Sequence, residues 1–369
     1  MLQFTQILAD VDPAPPLWRL LLGIEPAQTM AFSVLLLLVG MALITKGGDL
    51  FTDSAVAIAR ATRVPPVIIG ATIVSLATTF PEFMVSLTGA LSGVADFAVG
   101  NALGSCCCNI GLIVGSCVLI KGYLGSKRNQ DTDIVTTRET LQGAGGFMIC
   151  AGVLLWLFSF FGDRTAEGGF MMTRGEGSVL AVLLVLFLAW SLRIALRARF
   201  EAELTDQDDQ GDDPGRAAMT VTFVTGAMLV VLGSKLLVAN AEFIARQLGV
   251  PELIVGLTIL AIGTSLPEYT ISLMAVIKGH GALGIGNIIG ANILNICWVV
   301  AGCALIDPLP IRRQTVLLDA PVVLALMILL IGLAWRRERL TARSGVILLT
   351  IYLGYVLSMI TLFRDPAAS

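Results

Sequence analysis

The sequence predicts an all-α polytopic membrane protein of ten transmembrane helices, arranged as two inverted five-helix repeats. Three observations carry that prediction. The chain of 369 residues is 56% hydrophobic and only 14% charged, where a globular domain is about a quarter charged. Ten apolar segments each reach the roughly 20 residues that a spanning helix needs. The sequence also repeats itself at a fixed offset.

The ten segments are 30–59, 66–91, 95–120, 140–161, 176–198, 217–247, 251–277, 281–305, 315–335 and 341–363. They divide the chain into an N-terminal interfacial segment (1–29), a first five-helix repeat (30–199), an acidic cytoplasmic linker (200–216) and a second five-helix repeat (217–369). The N-terminal segment has no cationic stretch ahead of its apolar residues, so no cleaved signal peptide is expected. Its piece "PLWRLLLGIEP" is too short to span and is expected at the interface. The linker "FEAELTDQDDQGDDPGR" is rich in Asp and poor in large apolar groups, which suits a solvated connection, and its spacing matches no EF-hand loop.

Basic residues set the expected orientation. With the N-terminus outside, fifteen lysines and arginines fall on the inner side and seven on the outer, which favours both termini outside. Net charge is −3 with a single histidine, His280, so there is no basic field for nucleic acid. The seven cysteines all lie in apolar runs and form neither a disulfide framework nor a paired zinc motif. In the run Cys106-Cys107-Cys108, successive helical positions point about 100° apart. The three thiols cannot converge on one ion unaided and are read as small packing side chains. His280 is read as a solvated turn residue.

Sliding the chain by 186 residues aligns 47–115 on 233–301 without a gap, with 24 identities in 69 positions. Pro81-Glu82 falls on Pro267-Glu268, Gly100-Asn101 on Gly286-Asn287, and Asn109-Ile110 on Asn295-Ile296. Apolar bias would match Leu with Val by chance, but not Pro, Glu, Asn and Gly at one offset. Five spans per half is an odd number, so the second half must enter the membrane from the opposite side. Inverted repeats of this kind place a substrate site near the midplane, at broken helices in matching positions.

The stretches "TTFPEF" (78–83) and "TSLPEY" (264–269) mark those positions. A proline lacks the N–H that would bond the carbonyl four residues back, so each is expected to open its helix. Open backbone at membrane depth survives only in protein or beside a watery cavity. The adjacent glutamate costs about 2.5–3.5 kcal/mol to bury there, an expense that a bound cation would offset. Thr78 with Glu82, and Thr264 with Glu268, share a helix face at spacing four. In the next span Asn101, Ser105 and Asn109 form a polar stripe, repeated as Asn287, Ala291 and Asn295. Carboxylate, hydroxyl, amide and freed carbonyl make an all-oxygen donor set, suited to sodium, calcium or magnesium. Ser86, Ser272, Asn101 and Asn287 are read as hydrogen-bond glue between helices. Asp49, Asp53, Asp96, Glu242 and Asp319 are read as interfacial.

With these residues in hand, the chain resembles the calcium/cation antiporter superfamily, specifically prokaryotic sodium/calcium exchangers. "GTSLPE" (263–268) and "GNIIGANILN" (286–295) carry the resemblance in the second half; "ATTFPE" (77–82) and "GNALGSCCCN" (100–109) carry it more loosely in the first. The resemblance implies an antiporter that exports calcium in exchange for sodium by alternating access, in a membrane expected to be the bacterial inner one. It implies calcium bound by Glu82 and Glu268 with backbone oxygens of Thr78 and Thr264. Thr79, Ser265, Ser105, Asn109 and Asn295, with the carbonyls of Ser75 and Ala261, would complete the calcium, sodium and water sites. It further implies that 30–59 and 217–247 slide across a fixed core. The chain departs from the family pattern at Ala291, where a serine is usual, at Cys106 for Asn and at Thr79 for Ser. Proton/calcium exchange on the same scaffold therefore stays open, and a cation channel is the alternative of another class. No enzyme activity, organic cofactor or obligatory protein partner is expected; the partners are the ions and the bilayer.

Overall fold

The computed structural model describes residues 30–91, 96–128, 131–161, 170–204, 216–248 and 261–362. Ten helical segments follow in order: α1 Met30–Thr62, α2 66–91, α3 96–128, α4 138–161, α5 Arg174–Leu204, α6 Arg216–Gln247, α7 261–277, α8 281–306, α9 315–335 and α10 Ala342–Leu362. Nine are long and apolar enough to cross a membrane among the described residues. The tenth, α7, is described only from its middle onward. The observed ends lie within a few residues of the expected spans, except that α3 runs on to Arg128 and α5 to Leu204. The interfacial reading of 1–29, most of the acidic linker and the first ten residues of the seventh span lie outside the described residues.

Two short ribbons give the inversion a direct structural form. Strand β1 (Ile134–Val135), after α3, pairs antiparallel with β4 (Arg339–Leu340), after α9. Strand β2 (Phe170–Met172), after α4, pairs with β3 (Leu309–Ile311), after α8. Exchanging the two halves turns the first pair into the second. By the parity of the spans, the two ribbons sit on opposite membrane faces.

Burial grades from centre to rim. Every residue of α8 from Leu283 to Leu294 is buried. Its repeat image in α3 contributes Ala98, Val99, Ala102, Leu103 and Cys106-Cys107-Cys108 to the same core. Large apolar side chains are instead exposed along α1 (Leu35, Leu38), α5 (Val182, Val185), α6 (Val221, Val224) and α10 (Leu353, Leu357). That is the surface a helix offers to lipid.

Helices α1 and α6 make the most extensive helix–helix contact among the described residues. Glycines explain how. Gly40 and Gly47 of α1 recur at the repeat offset as Gly226 and Gly233 of α6, and the contacts cross over. A Cβ added to Gly40 would lie 2.9 Å from the Gly233 carbonyl oxygen, and one on Gly47 2.9 Å from that of Gly226. Small residues let backbones approach this closely, the usual device of membrane helix pairs. Phe51 and Phe223 pack beside the crossing, their rings tilted by 33° with centroids 4.3 Å apart.

The two prolines behave differently from each other. The helix does break in the second half, at Ser265 (φ −90°, ψ 10°), and restarts at Leu266 with Pro267 in its first turn. In the first half α2 continues straight through Pro81, which corrects the expectation that each proline opens its helix. A membrane helix tolerates proline because neighbours and local adjustments absorb the loss of one hydrogen bond. The irregularity of α2 lies upstream, as a π-helical stretch Gly70–Val74. Further π-helical stretches occur at Cys108–Val114 in α3 and Asn295–Val300 in α8, which are repeat images of one another. Such bulges turn side chains out of the regular register and often accompany functional sites.

Candidate functional site

At the centre, α2 and α7 bring their carboxylates together. Glu82 and Glu268 are each 1% exposed and close enough to act on one another electrostatically. The Thr79 hydroxyl donates to Glu268 Oε1 at 3.4 Å across the repeat interface. Thr78 donates to the Ser75 carbonyl at 3.1 Å and to Asn287 Oδ1 at 3.4 Å. The paired helices α3 and α8 close the site from the other side. Asn109 Nδ2 donates to Asn292 Oδ1 at 3.3 Å. The mirror position of Asn292 holds Cys106, whose thiol donates to the Asn292 carbonyl at 3.8 Å. The π-helical stretches begin at Cys108 and Asn295, so the local widening of the helix falls where Asn109 and Asn295 must turn inward.

Of the residues singled out from the sequence, Glu82, Glu268, Thr78, Thr79, Ser265, Asn109, Asn295, Ser105 and Ser75 are all buried. Thr264 is half-buried, and Ala261 is described only as helical backbone. Asn292 was absent from the sequence-derived set, although it stands inside "GNIIGANILN" and is the repeat image of Cys106. Its polarity in a fully buried stretch of helix is the available signal.

Among the described residues, six oxygens here have no hydrogen-bond partner: both carboxylate oxygens of Glu82, Glu268 Oε2, Asn109 Oδ1, Asn295 Oδ1 and Ser265 Oγ. Buried polar atoms normally find partners, and an unsatisfied carboxylate oxygen is among the costliest exceptions. Five of the six can only accept, which is the character of ligands for a hard cation.

The glue reading describes four other residues well. Asn101 Nδ2 donates to Ser86 Oγ at 3.0 Å, joining α3 to α2, and Asn287 Nδ2 donates to Ser272 Oγ at 3.1 Å, joining α8 to α7. The two bonds are repeat images and leave these hydroxyls engaged in holding helices together. The interfacial reading fails for Asp319, which is 5% exposed. Tyr355 donates to it at 3.0 Å and Thr315 at 3.3 Å, so neutral donors from α9 and α10 replace water around it. Asp49 and Asp53 of α1 face the turn between α7 and α8, where Lys278 Nζ bridges them at 2.9 and 2.8 Å. Burial works against the charge on Lys278, yet the two carboxylates outweigh it and hold its pKa above the ordinary lysine value.

Two inverted five-helix halves, with an acceptor-lined pair of carboxylates where they meet, define a polytopic membrane transporter of small cations. The chain belongs to the sodium/calcium exchanger protein family, whose pattern matches residues 32–193 and 218–361. That family comprises membrane antiporters, not enzymes. Among its relatives, the putative antiporter CaxA of Alkalimonas amylolytica is 35% identical over 88% of this chain and 98% of its own. The inner membrane protein YrbG of Escherichia coli is 33% identical, over 87% and 94% respectively. A solved structure of the sodium-calcium exchanger NCX_Mj, soaked without Na+ and Ca2+, superposes with a TM-score of 0.72 at 26% identity. The match covers 90% of this chain and all of that one.

Proposed function

We propose that the chain exports calcium in exchange for sodium by alternating access, with both termini outside a bacterial inner membrane. The observation that supports this best is the set of six unpartnered oxygens around Glu82 and Glu268. Calcium takes six to eight oxygen ligands. On this reading the two carboxylates, with backbone oxygens of Thr78 and Thr264, hold it directly. Thr79, Ser265, Ser105, Asn109 and Asn295, with the carbonyls of Ser75 and Ala261, complete the ion and water sites.

Charge arithmetic makes the exchange obligatory. One calcium neutralises two carboxylates, and so do two sodium ions. An empty site would leave two like charges in a dry interior at a cost of several kcal/mol per ion. Only a loaded, neutral site can therefore be occluded and passed from one face to the other. The glycine-paired helices α1 and α6 would move as one body across the core, uncovering the site to each side in turn. The location draws support from the inner-membrane relative, and the orientation of the termini from the excess of basic residues on one face.

A second reading rests on the donor set. Position 291 is alanine, fully buried, and both 109 and 295 are asparagine. The two glutamates are thus the site's whole charge, and two protons would balance them as well as two sodium ions. Reconstitution in liposomes separates the readings. Calcium uptake should follow an imposed sodium gradient and not a proton gradient of equal size. Uptake on the proton gradient alone would transfer the coupling to protons, and calcium flux with no counter-ion would refute antiport.

A further inference from the structure

The turn joining α1 to α2 and the turn joining α7 to α8 meet on one membrane face around a cavity of about 420 Å³. Arg60, Arg63 and His280 line it, above an aliphatic floor that includes Val64, Pro65 and Pro66. Among the described residues, no carboxylate lines it. The nearest acidic groups of α1, Asp49 and Asp53, are engaged by Lys278. Arg60 and Arg63 are exposed and have no carboxylate partner among the described residues. The pKa of His280 is held below the ordinary histidine value, first by burial and then by the positive charge of Arg60. The cavity is thus cationic on one side and apolar on the other.

Repeat symmetry separates this arrangement from the general basic bias of a membrane face. Arg60 recurs as Arg246, but Arg63 corresponds to Gly249, Lys278 to Ser92 and His280 to Val94. The fold therefore does not require those three side chains. Arg63 also has φ 56°, in the left-handed region that side chains avoid. The chain holds a guanidinium where its other half has the glycine that this backbone favours.

We infer that the cavity binds the headgroup of an anionic phospholipid, with phosphate between Arg60, Arg63 and His280 and the glycerol end on Val64, Pro65 and Pro66. The amphiphilic lining and the position where helices leave the bilayer select a lipid over free phosphate. An occupant bridges the end of α1 to the starts of α2 and α8, and so restrains the α1–α6 pair against the core. That restraint rests on the antiport reading; the binding does not.

Native mass spectrometry of the purified full chain, offered equal phosphatidylglycerol and phosphatidylcholine, tests the site. Phosphatidylglycerol should be retained preferentially, with retention falling roughly fivefold for each arginine removed in Arg60→Gln and Arg63→Gln. Arg63→Gly suits the backbone, so it should lose lipid while its melting temperature holds. The control Lys127→Gln with Arg337→Gln, on the same face, should retain lipid as the native protein does. Unchanged retention in the Arg60 and Arg63 variants would overturn the proposal. So would an equal loss in the control, or displacement of the lipid by millimolar inorganic phosphate. Absent exchange activity with lipid retention intact would strike the antiport reading and leave this site standing.

Discussion

Gly47→Ala puts a methyl group where α1 and α6 touch backbone to backbone. The new Cβ would sit 2.8 Å from the Val230 amide nitrogen, 2.8 Å from Leu229 Cβ and 2.9 Å from the Gly226 carbonyl oxygen. Two of these three are main-chain atoms and the third is a Cβ fixed to its backbone, so none can rotate away and the helices must part by about half an ångström to restore ordinary contact. Parting them also loosens the image crossing at Gly40 and Gly233. Overpacking of this kind costs about 1–3 kcal/mol. Alanine's better helix propensity returns no more than about 1 kcal/mol. Gly332→Ala in α9 is the matched control, since nothing lies within 4 Å of its added Cβ. Thermal unfolding in detergent, followed by circular dichroism, should show Gly47→Ala destabilised and Gly332→Ala equal to or above the native protein. If the two variants melt alike, the glycine crossing does not hold α1 to α6 and the argument for their joint movement falls.

Glu82→Gln and Glu268→Gln each keep side-chain shape and remove one charge; calorimetry should show calcium binding lost while size-exclusion profiles stay native, and retained binding in both would refute the site. Ala291→Ser returns the hydroxyl that the resemblance leads one to expect, and the sodium dependence of calcium uptake should steepen; an unchanged dependence would remove position 291 from the ion path. His280 is the only histidine, so its imidazole resonance can be followed alone by NMR. Burial and Arg60 keep its pKa below 6.5, so the folded chain binds that proton less readily than the unfolded one. Its contribution to stability is therefore present above pH 6.5 and lost as pH falls through the lower folded value. Added phosphatidylglycerol should move the midpoint upward, and a midpoint indifferent to the lipid would count against the headgroup site.

Much of this was legible because the membrane imposes simple rules. Span lengths, the 186-residue offset and the paired Pro-Glu steps all came from residue types that chance does not repeat. The glue pairs followed from polar residues that had no charge to explain. What stayed hidden has physical causes. The π-helical stretches at Cys108–Val114 and Asn295–Val300 lie in helices buried all round, where hydropathy is flat and a change of register leaves no pattern. Pro81 reads like Pro267, yet only tertiary packing decides whether a helix breaks or carries on. Asp319 looked interfacial because its donors, Tyr355 and Thr315, declare themselves only when α9 and α10 are docked. The ribbons of two and three residues are too short for any alternation to announce them.

Those ribbons have a further consequence. Pairing β1 with β4 and β3 with β2 is one contact made twice, as in a two-fold dimer whose partners meet through the same patch. A five-helix chain inserted in both orientations could have closed both ribbons, and met at both glutamates, with one kind of surface. The acidic stretch between α5 and α6 then adds a covalent join to an assembly already complete in its contacts. Once joined, the halves were free to diverge. The serine and cysteine at 105 and 106, set against alanine and asparagine at 291 and 292, are where the two halves differ most closely around the shared glutamates.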